Sequence, residues 1–370
     1  MPARFTALVE TLPATVPFVG PETQERARGK PFRARIGANE NAFGASPEAI
    51  AAMAAGAAEA WKYCDPENHD LERAIAAAHG VAPENIFVGE GIDGILGLVV
   101  RLLIEPGQPV VSSLGAYPTF NFHVAGFGGR LVTVPYRDDR EDPQALLDAV
   151  RRERASLVYI ANPDNPMGTW WPAAEIARMV DAMPDDALLL LDEAYAEFAP
   201  DGVSPRLDPA DPRVLRLRTF SKAHGLAGIR VGYAIGAPAL IKAFDKIRNH
   251  FGVNRIGQAG ALAAIGDPGH LVRVREKVEF SRARIGAIAQ QHGLAPLPSA
   301  TNFVTVDCGR DGAYARRVLN ALIERDVFVR MPGVPPLDRC IRIGCGLPAE
   351  LDVLEQALPG ALVEAASRGE

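Results

Sequence analysis

Leu188-Leu189-Leu190-Leu191-Asp192-Glu193-Ala194-Tyr195 reads as a short apolar strand that ends on two acids and a tyrosine. Working outward, runs of the same kind recur at Ile86–Val88, Val110–Ser112, Leu131–Val134, Leu157–Ile160, Val214–Leu217 and Val231–Ile235. Helix-like stretches such as Gln144–Arg152 and Ala173–Met183 lie between several of them. Strands alternating with helices imply an α/β fold whose mainly parallel, seven-stranded sheet is covered on both faces. Upstream, Ser46-Pro47-Glu48 reads as a helix start, with serine at the N-cap and proline at the first helical position.

From about residue 251 the pattern changes. A long amphipathic stretch, Leu271–Gln290, precedes short strands at Phe303–Val306, Val327–Arg330 and Ile341–Ile343, with helices at Ala313–Glu324 and Ala349–Leu358. The expected organisation is an N-terminal arm (1–30), a large domain (31–250) and a smaller α+β domain (251–370). At 370 residues, a large domain with a companion also suits the length.

Composition narrows the function. With 48% apolar and 23% charged residues the chain is neither disordered nor collagen-like. A net charge of -6 argues against a general nucleic-acid binder. Arg101 interrupts the best apolar stretch, around Ile92–Ile104, so no membrane span is expected, and Glu10 with two prolines replaces the apolar core of a signal peptide. Cys64, Cys308, Cys340 and Cys345 form no C-x-x-C pair beside histidines, so neither a disulfide framework nor a metal site is expected; reduced thiols suit the cytoplasm. Only six basic residues are lysine, which leaves 33 of 39 as arginine. A reaction that needs a lysine amine therefore has few candidates.

Two motifs point elsewhere and fail. Gly89-Glu90-Gly91-Ile92-Asp93-Gly94 matches G-x-G-x-x-G after a strand, but the next strand ends Val110-Val111-Ser112-Ser113 without the acid a dinucleotide site requires. What remains is either a glycine turn that lets a phosphate approach backbone N–H groups at a helix N-terminus or a simple glycine-rich turn, and the motif alone does not choose between them. The Leu188–Glu193 run imitates an ATPase metal strand, but no G-x-x-x-x-G-K-[ST] accompanies it.

The densest cluster is Thr219-Phe220-Ser221-Lys222-Ala223-His224-Gly225-Leu226-Ala227-Gly228-Ile229-Arg230-Val231-Gly232-Tyr233. Hydroxyls and a guanidinium beside a glycine-rich turn suit a phosphate dianion. A lysine near other cations suits Schiff-base chemistry, because it is more easily deprotonated. Lys222 is the only lysine between Lys62 and Lys242. Gly91–Asp93, Tyr117–Phe120, Asn162–Gly168, Asp192–Tyr195 and Thr219–Lys222 each follow an expected strand. They should meet at the carboxyl edge of one sheet, where open α/β folds bind ligands. Singly, each has an ordinary reading: Asp192 as a helix N-cap, Asn165 as a turn former, Phe120 or Tyr195 as core.

Together, in this order, they make the chain resemble the fold type I pyridoxal-phosphate-dependent aminotransferases, nearest to the histidinol-phosphate aminotransferase group. The likeness runs from Asn39-Glu40-Asn41-Ala42-Phe43-Gly44 to Ile341-Arg342-Ile343-Gly344 and includes Asn165-Pro166-Met167-Gly168. The resemblance implies that Lys222 binds pyridoxal 5'-phosphate covalently and moves the proton, that Asp192 pairs with the pyridine nitrogen, and that Asn165 and Tyr195 bond the ring's phenolic oxygen. It implies that Phe120, or in its place Tyr117, stacks on the ring. Ile92 and Asp93 backbone groups, Thr219, Ser221 and Arg230 would hold the phosphate. Tyr63 would reach the site of a second subunit in a homodimer. Arg342 would grip the substrate's acidic group, and Arg330, with Arg339 as a rival, would add the second cation that a phosphate needs. Met167, Ala42, His224, and Ile92 with Gly94 depart from the family pattern without removing a catalytic group.

The expected activity is ping-pong transfer of an amino group from histidinol phosphate or an L-amino acid to a 2-oxo acid such as 2-oxoglutarate. The alternatives are a decarboxylase of a phosphorylated amino acid, which can share every cofactor residue, and a non-catalytic ligand-binding protein on the same fold. The latter is disfavoured by the retained Lys222 and the lack of an attached DNA-binding module.

Overall fold

All seven apolar runs become strands of one sheet in the computed structural model, which describes residues 4–14 and 18–367. The rest of the expected arm (1–3 and 15–17) and of the small domain (368–370) lies outside the described residues. In chain order the strands are β1 (Ala34–Arg35), β2 (Ile86–Gly89), β3 (Pro109–Ser113), β4 (Arg130–Val134), β5 (Leu157–Ala161), β6 (Leu188–Asp192), β7 (Val214–Thr219), β8 (Gly232–Ile235), β9 (Ala295–Pro296), β10 (Phe303–Asp307), β11 (Val327–Phe328) and β12 (Cys340–Gly344). The large sheet runs β2-β8-β7-β6-β5-β3-β4, and only β8 is antiparallel to its neighbours.

The two-residue period of a strand explains why the runs carry no polar alternation. Along β5, Leu157 and Tyr159 join Ile95, Leu96 and Phe120 in one helical layer, whereas Val158 and Ile160 join Leu146, Val150 and Ile176 in the other. Both faces are covered, so both must be apolar. Ser46 caps the helix Pro47–Ala57 as expected, accepting from Ala49 N–H. β3 pairs β5 only at Val110–Leu157 and Val111–Val158, so the two strands part before their carboxyl ends.

In the second unit β10 pairs antiparallel with β12 and β9, beneath helices Pro268–Gln291, Gly312–Glu324 and Pro348–Ser367. Two details differ from expectation. The strand expected at Val327–Arg330 is reduced to β11, which pairs in parallel with β1, so residues 34–35 join this unit. Arg330 instead forms an isolated bridge with Arg342. The last helix does not stop before Pro359. An interior proline costs about 3 kcal/mol, but Leu358, Ala361 and Ala365 are buried on either side of it, and Arg317 Nε donates to Ala365 O at 2.9 Å. One core cluster runs from Leu190 and Leu215 of the sheet to Phe303 and Ile341, so the two units pack as one body. Among the described residues no helix is long and apolar enough to cross a membrane.

Candidate active site

β2, β3, β5, β6 and β7 all point the same way, so their carboxyl-end loops gather at one edge of the sheet. They line a cavity of about 730 Å³, closed from the other side by Arg330–Val334 and Arg342 of the second unit and by Phe18 and Ala38–Glu40. Of the expected residues, Ile92, Asp93, Asn165, Asp192, Tyr195, Thr219, Ser221, Lys222, Arg230, Arg330 and Arg342 all line it.

At one end the helix Gly91–Leu103 begins without a side-chain cap, leaving its first N–H groups and its positive dipole end free for an anion. Arg230 faces it. Its guanidinium donates to Ser221 Oγ at 3.3 Å and Ala227 O at 3.0 Å, and lies 3.4 Å from Asp93 Oδ2. Thr219 Oγ1 accepts from Ser221 N–H at 3.0 Å, which fixes the hydroxyl pair. Glycine is required here in two places. A Cβ on Gly91, whose φ is +75°, would lie 2.5 Å from Arg230 Nη2, and one on Gly232 would lie 2.8 Å from Ile92 N.

At the floor, Asp192 is buried. Its Oδ2 accepts from the Tyr159 hydroxyl at 2.7 Å and its Oδ1 from Ala194 N–H at 2.9 Å. Burial pushes its carboxyl up to about 6, although both of those donors favour the charged form. Lys222 Nζ donates to Asn39 O at 3.3 Å and lies 5.6 Å from the centre of the Tyr195 ring. Tyr195 Oη accepts from Asn39 Nδ2 at 3.0 Å. Asn39, held in the left-handed region at φ 56°, thus contacts both.

The second unit supplies two cations. Arg342 Nη1 donates to Asn165 Oδ1 at 2.5 Å and Nη2 to Gly37 O at 3.4 Å, while its buried Nε has no partner among the described residues. Burial lowers its guanidinium to about 10, so it stays protonated at neutral pH. Arg330 donates to Val19 O at 2.6 Å and lies between the rings of Phe18 and Phe328, at 5.4 and 5.6 Å. Its rival Arg339 is not among the residues lining the cavity; it is ion-paired with Asp139 at 2.8 Å and Asp307 at 2.7 Å.

Two expected residues are not brought to the cavity. Phe120 is fully buried and stacks on Tyr159 at 4.9 Å, because the helix Pro118–Gly126 starts directly after Tyr117 and turns Phe120 onto the sheet. Tyr117 takes the lining position, its hydroxyl donating to Asp93 Oδ1 at 2.8 Å. Tyr63 lies outside the cavity, 78% exposed and packed on Phe251 at 4.7 Å. Tyr159, Asn39 and Phe18 were not anticipated. Only Tyr159 carries a signal, since a tyrosine inside an aliphatic strand needs a partner for its hydroxyl.

The model of the family described as aminotransferase class I and II matches residues 35–358. Histidinol-phosphate aminotransferase 1 of Mesorhizobium japonicum is 35% identical over 343 residues, covering 91% of this chain and 92% of that one. Histidinol-phosphate aminotransferase 2 of Ralstonia nicotianae is 37% identical over 334 residues, with 90% and 89% covered. The crystal structure of histidinol-phosphate aminotransferase from Sinorhizobium meliloti in complex with pyridoxal-5'-phosphate superimposes with a TM-score of 0.95 at 56% identity, over 98% of each chain.

Proposed function

This chain belongs to the class I and II aminotransferases, and we propose from that premise that it moves the amino group of histidinol phosphate to a 2-oxo acid such as 2-oxoglutarate. It is a pyridoxal-phosphate-dependent aminotransferase. The residues present fit that cofactor. An uncapped helix start with Arg230, Ser221 and Thr219 suits its phosphate, the buried Asp192 suits its ring nitrogen, and the glycines at 91 and 232 keep the cradle between them clear. When bound, pyridoxal phosphate supplies an electron sink for the charge that builds on the substrate Cα.

In this reading Lys222 would anchor the cofactor, and its Nζ would move the proton at the substrate carbon. Asp192 holds a proton at the ring nitrogen. Asn165 and Tyr195 would bond the phenolic oxygen, and Tyr117, which lines the cavity where Phe120 does not, would cover the ring. One observation carries the choice of donor: Arg342 and Arg330, bridged backbone to backbone, line the same cavity as Lys222. A carboxylate needs one bidentate guanidinium, whereas a phosphate dianion is better held by two cations. The names of the relatives point the same way. The exposed aromatic surface around Tyr63 supports a homodimer with shared sites. The four cysteines, all buried and unpaired, fit the reducing cytoplasm.

Two measurements test the reading. Lys222→Ala abolishes the visible absorption band of the cofactor–lysine linkage and lowers turnover by at least about a thousandfold, since the nucleophile and proton carrier are one group. A band that persists, with borohydride fixing the cofactor elsewhere, overturns the assignment. Arg330→Met lowers kcat/KM roughly tenfold to a hundredfold for histidinol phosphate and much less for unphosphorylated donors. Equal losses remove the case for phosphate, and carbon dioxide release without oxo-acid-dependent turnover replaces the aminotransferase by the decarboxylase.

A further inference from the structure

Where β3 and β5 stop pairing, a carboxyl group fills the gap. Glu141, 1% exposed, enters from the turn after β4. Its Oε2 accepts from the Ser113 hydroxyl on β3 at 2.6 Å, and its Oε1 from Ala161 N–H on β5 at 2.8 Å. Beside it stands a second carboxyl, that of the equally buried Asp164, whose charge raises the proton affinity of Glu141. Asp164 accepts from the Tyr136 hydroxyl at 2.8 Å and from Met167 N–H at 2.9 Å.

Two buried carboxylates side by side repel strongly, so the pair keeps a proton. The surroundings decide which group keeps the proton. Burial and then Asp164 push the Glu141 carboxyl well above the carboxylate range. At Asp164 burial pushes the carboxyl up to only about 7, because Met167 N–H, Tyr136, Glu141 and the Arg342 guanidinium all favour its charge. Glu141, pushed up further than Asp164, is therefore the group of the pair that keeps the proton at neutral pH.

Neither carboxyl lines the cavity, but both hold segments that do. Ser113 opens the turn that presents Tyr117, and Ala161 and Asp164 flank the start of the loop that presents Asn165. We propose that Glu141 is a positioning residue whose protonated carboxyl, set beside Asp164, accepts from Ser113 and Ala161 and so locks the Tyr117 turn to the Asn165 loop. This role rests on the reading that Tyr117 and Asn165 contact the cofactor.

The amide of Glu141→Gln keeps an acceptor and sets a donor beside Asp164, whereas Asp164→Asn replaces the acceptor of the Tyr136 hydroxyl and Met167 N–H with a group that is half donor. In infrared difference spectra at neutral pH, the wild-type protein shows a protonated-carboxyl stretch that Glu141→Gln lacks. With cofactor bound, Glu141→Gln retains kcat and the visible band to within about threefold, whereas Asp164→Asn loses roughly tenfold or more in kcat with a smaller change in donor KM. An unchanged stretch in Glu141→Gln shows Glu141 ionised and overturns the proposal, as does a Glu141→Gln enzyme as impaired as Asp164→Asn, or an Asp164→Asn enzyme with native kcat. If Asp164→Asn does not fold, the infrared band and the Glu141→Gln kinetics still decide. Failure of the functional reading itself would appear in Lys222→Ala and leave the infrared result standing, so the two are distinguishable.

Discussion

At the scale of one residue, Asp192 shows how burial prepares a group for a charged partner. Its carboxyl rests near 6 because water is excluded, although Tyr159 and Ala194 N–H already serve its two oxygens. An Asp whose folded pKa lies above its unfolded value stabilises the fold below about pH 4 and loses that contribution as pH rises through 6. The ionised carboxylate thus costs the empty protein on the order of 2–3 kcal/mol at neutral pH. A cation set against Asp192 removes that cost, so binding it releases a proton near pH 6. Cofactor affinity of the apoprotein should therefore fall about tenfold between pH 7 and pH 5 beyond the change that the phosphate's own titration causes. Equilibrium dialysis against Asp192→Asn, which keeps the phosphate contribution and lacks the carboxyl, isolates the difference. Identical pH slopes in the two proteins would mean that Asp192 does not carry the charge.

At the scale of elements, what was legible in the sequence follows from what each element has to bury. β5 and β6 are aliphatic on both faces because helices cover both, and that pattern survives without any partner in view. The two-residue strands β1 and β9 are too short to carry a period, and each exists only through its partner, β11 or β10. Tyr117 and Phe120 are separated by the start of a helix, and which of them faces the cavity depends on where that helix begins. Glu141 was hidden more thoroughly. It stands in Arg137-Asp138-Asp139-Arg140-Glu141-Asp142, a run that reads as a solvated turn, and only the parting of β3 and β5 draws its carboxyl inside. The lysine segment was legible for the opposite reason: its glycines answer to contacts that leave no room for a side chain. A Cβ on Gly225, at φ +69°, would lie 2.4 Å from Gly44 O, so this turn and the 39–44 loop that touches Lys222 and Tyr195 are fitted backbone to backbone.

At the scale of the whole molecule, one surface gathers several exposed rings. Trp61 and Tyr63 are 79% and 78% exposed, and beside them Phe251 with Ile50 and Leu262, on the packed helices Pro47–Ala57 and Arg255–Ile265, also face outward. Arg255 holds this segment in place by donating to Tyr63 O at 2.7 Å. Rings this exposed on a well-anchored segment suit a self-complementary interface in which residues of one copy meet those of another. The proposed homodimer gives Tyr63 its use, since the tyrosine cannot line the cavity of its own chain. Trp61→Glu combined with Phe251→Glu should shift the protein from dimer to monomer in sedimentation velocity and lower activity at micromolar concentration. Complementation is the stricter test. If Tyr63 completes the neighbour's site, refolding equal amounts of Lys222→Ala and Tyr63→Ala chains together gives heterodimers with one intact site, and activity climbs toward about a quarter of wild type. Activity that stays at the mean of the two separate variants would show that each site is built from one chain, and Tyr63 would then belong to the interface alone.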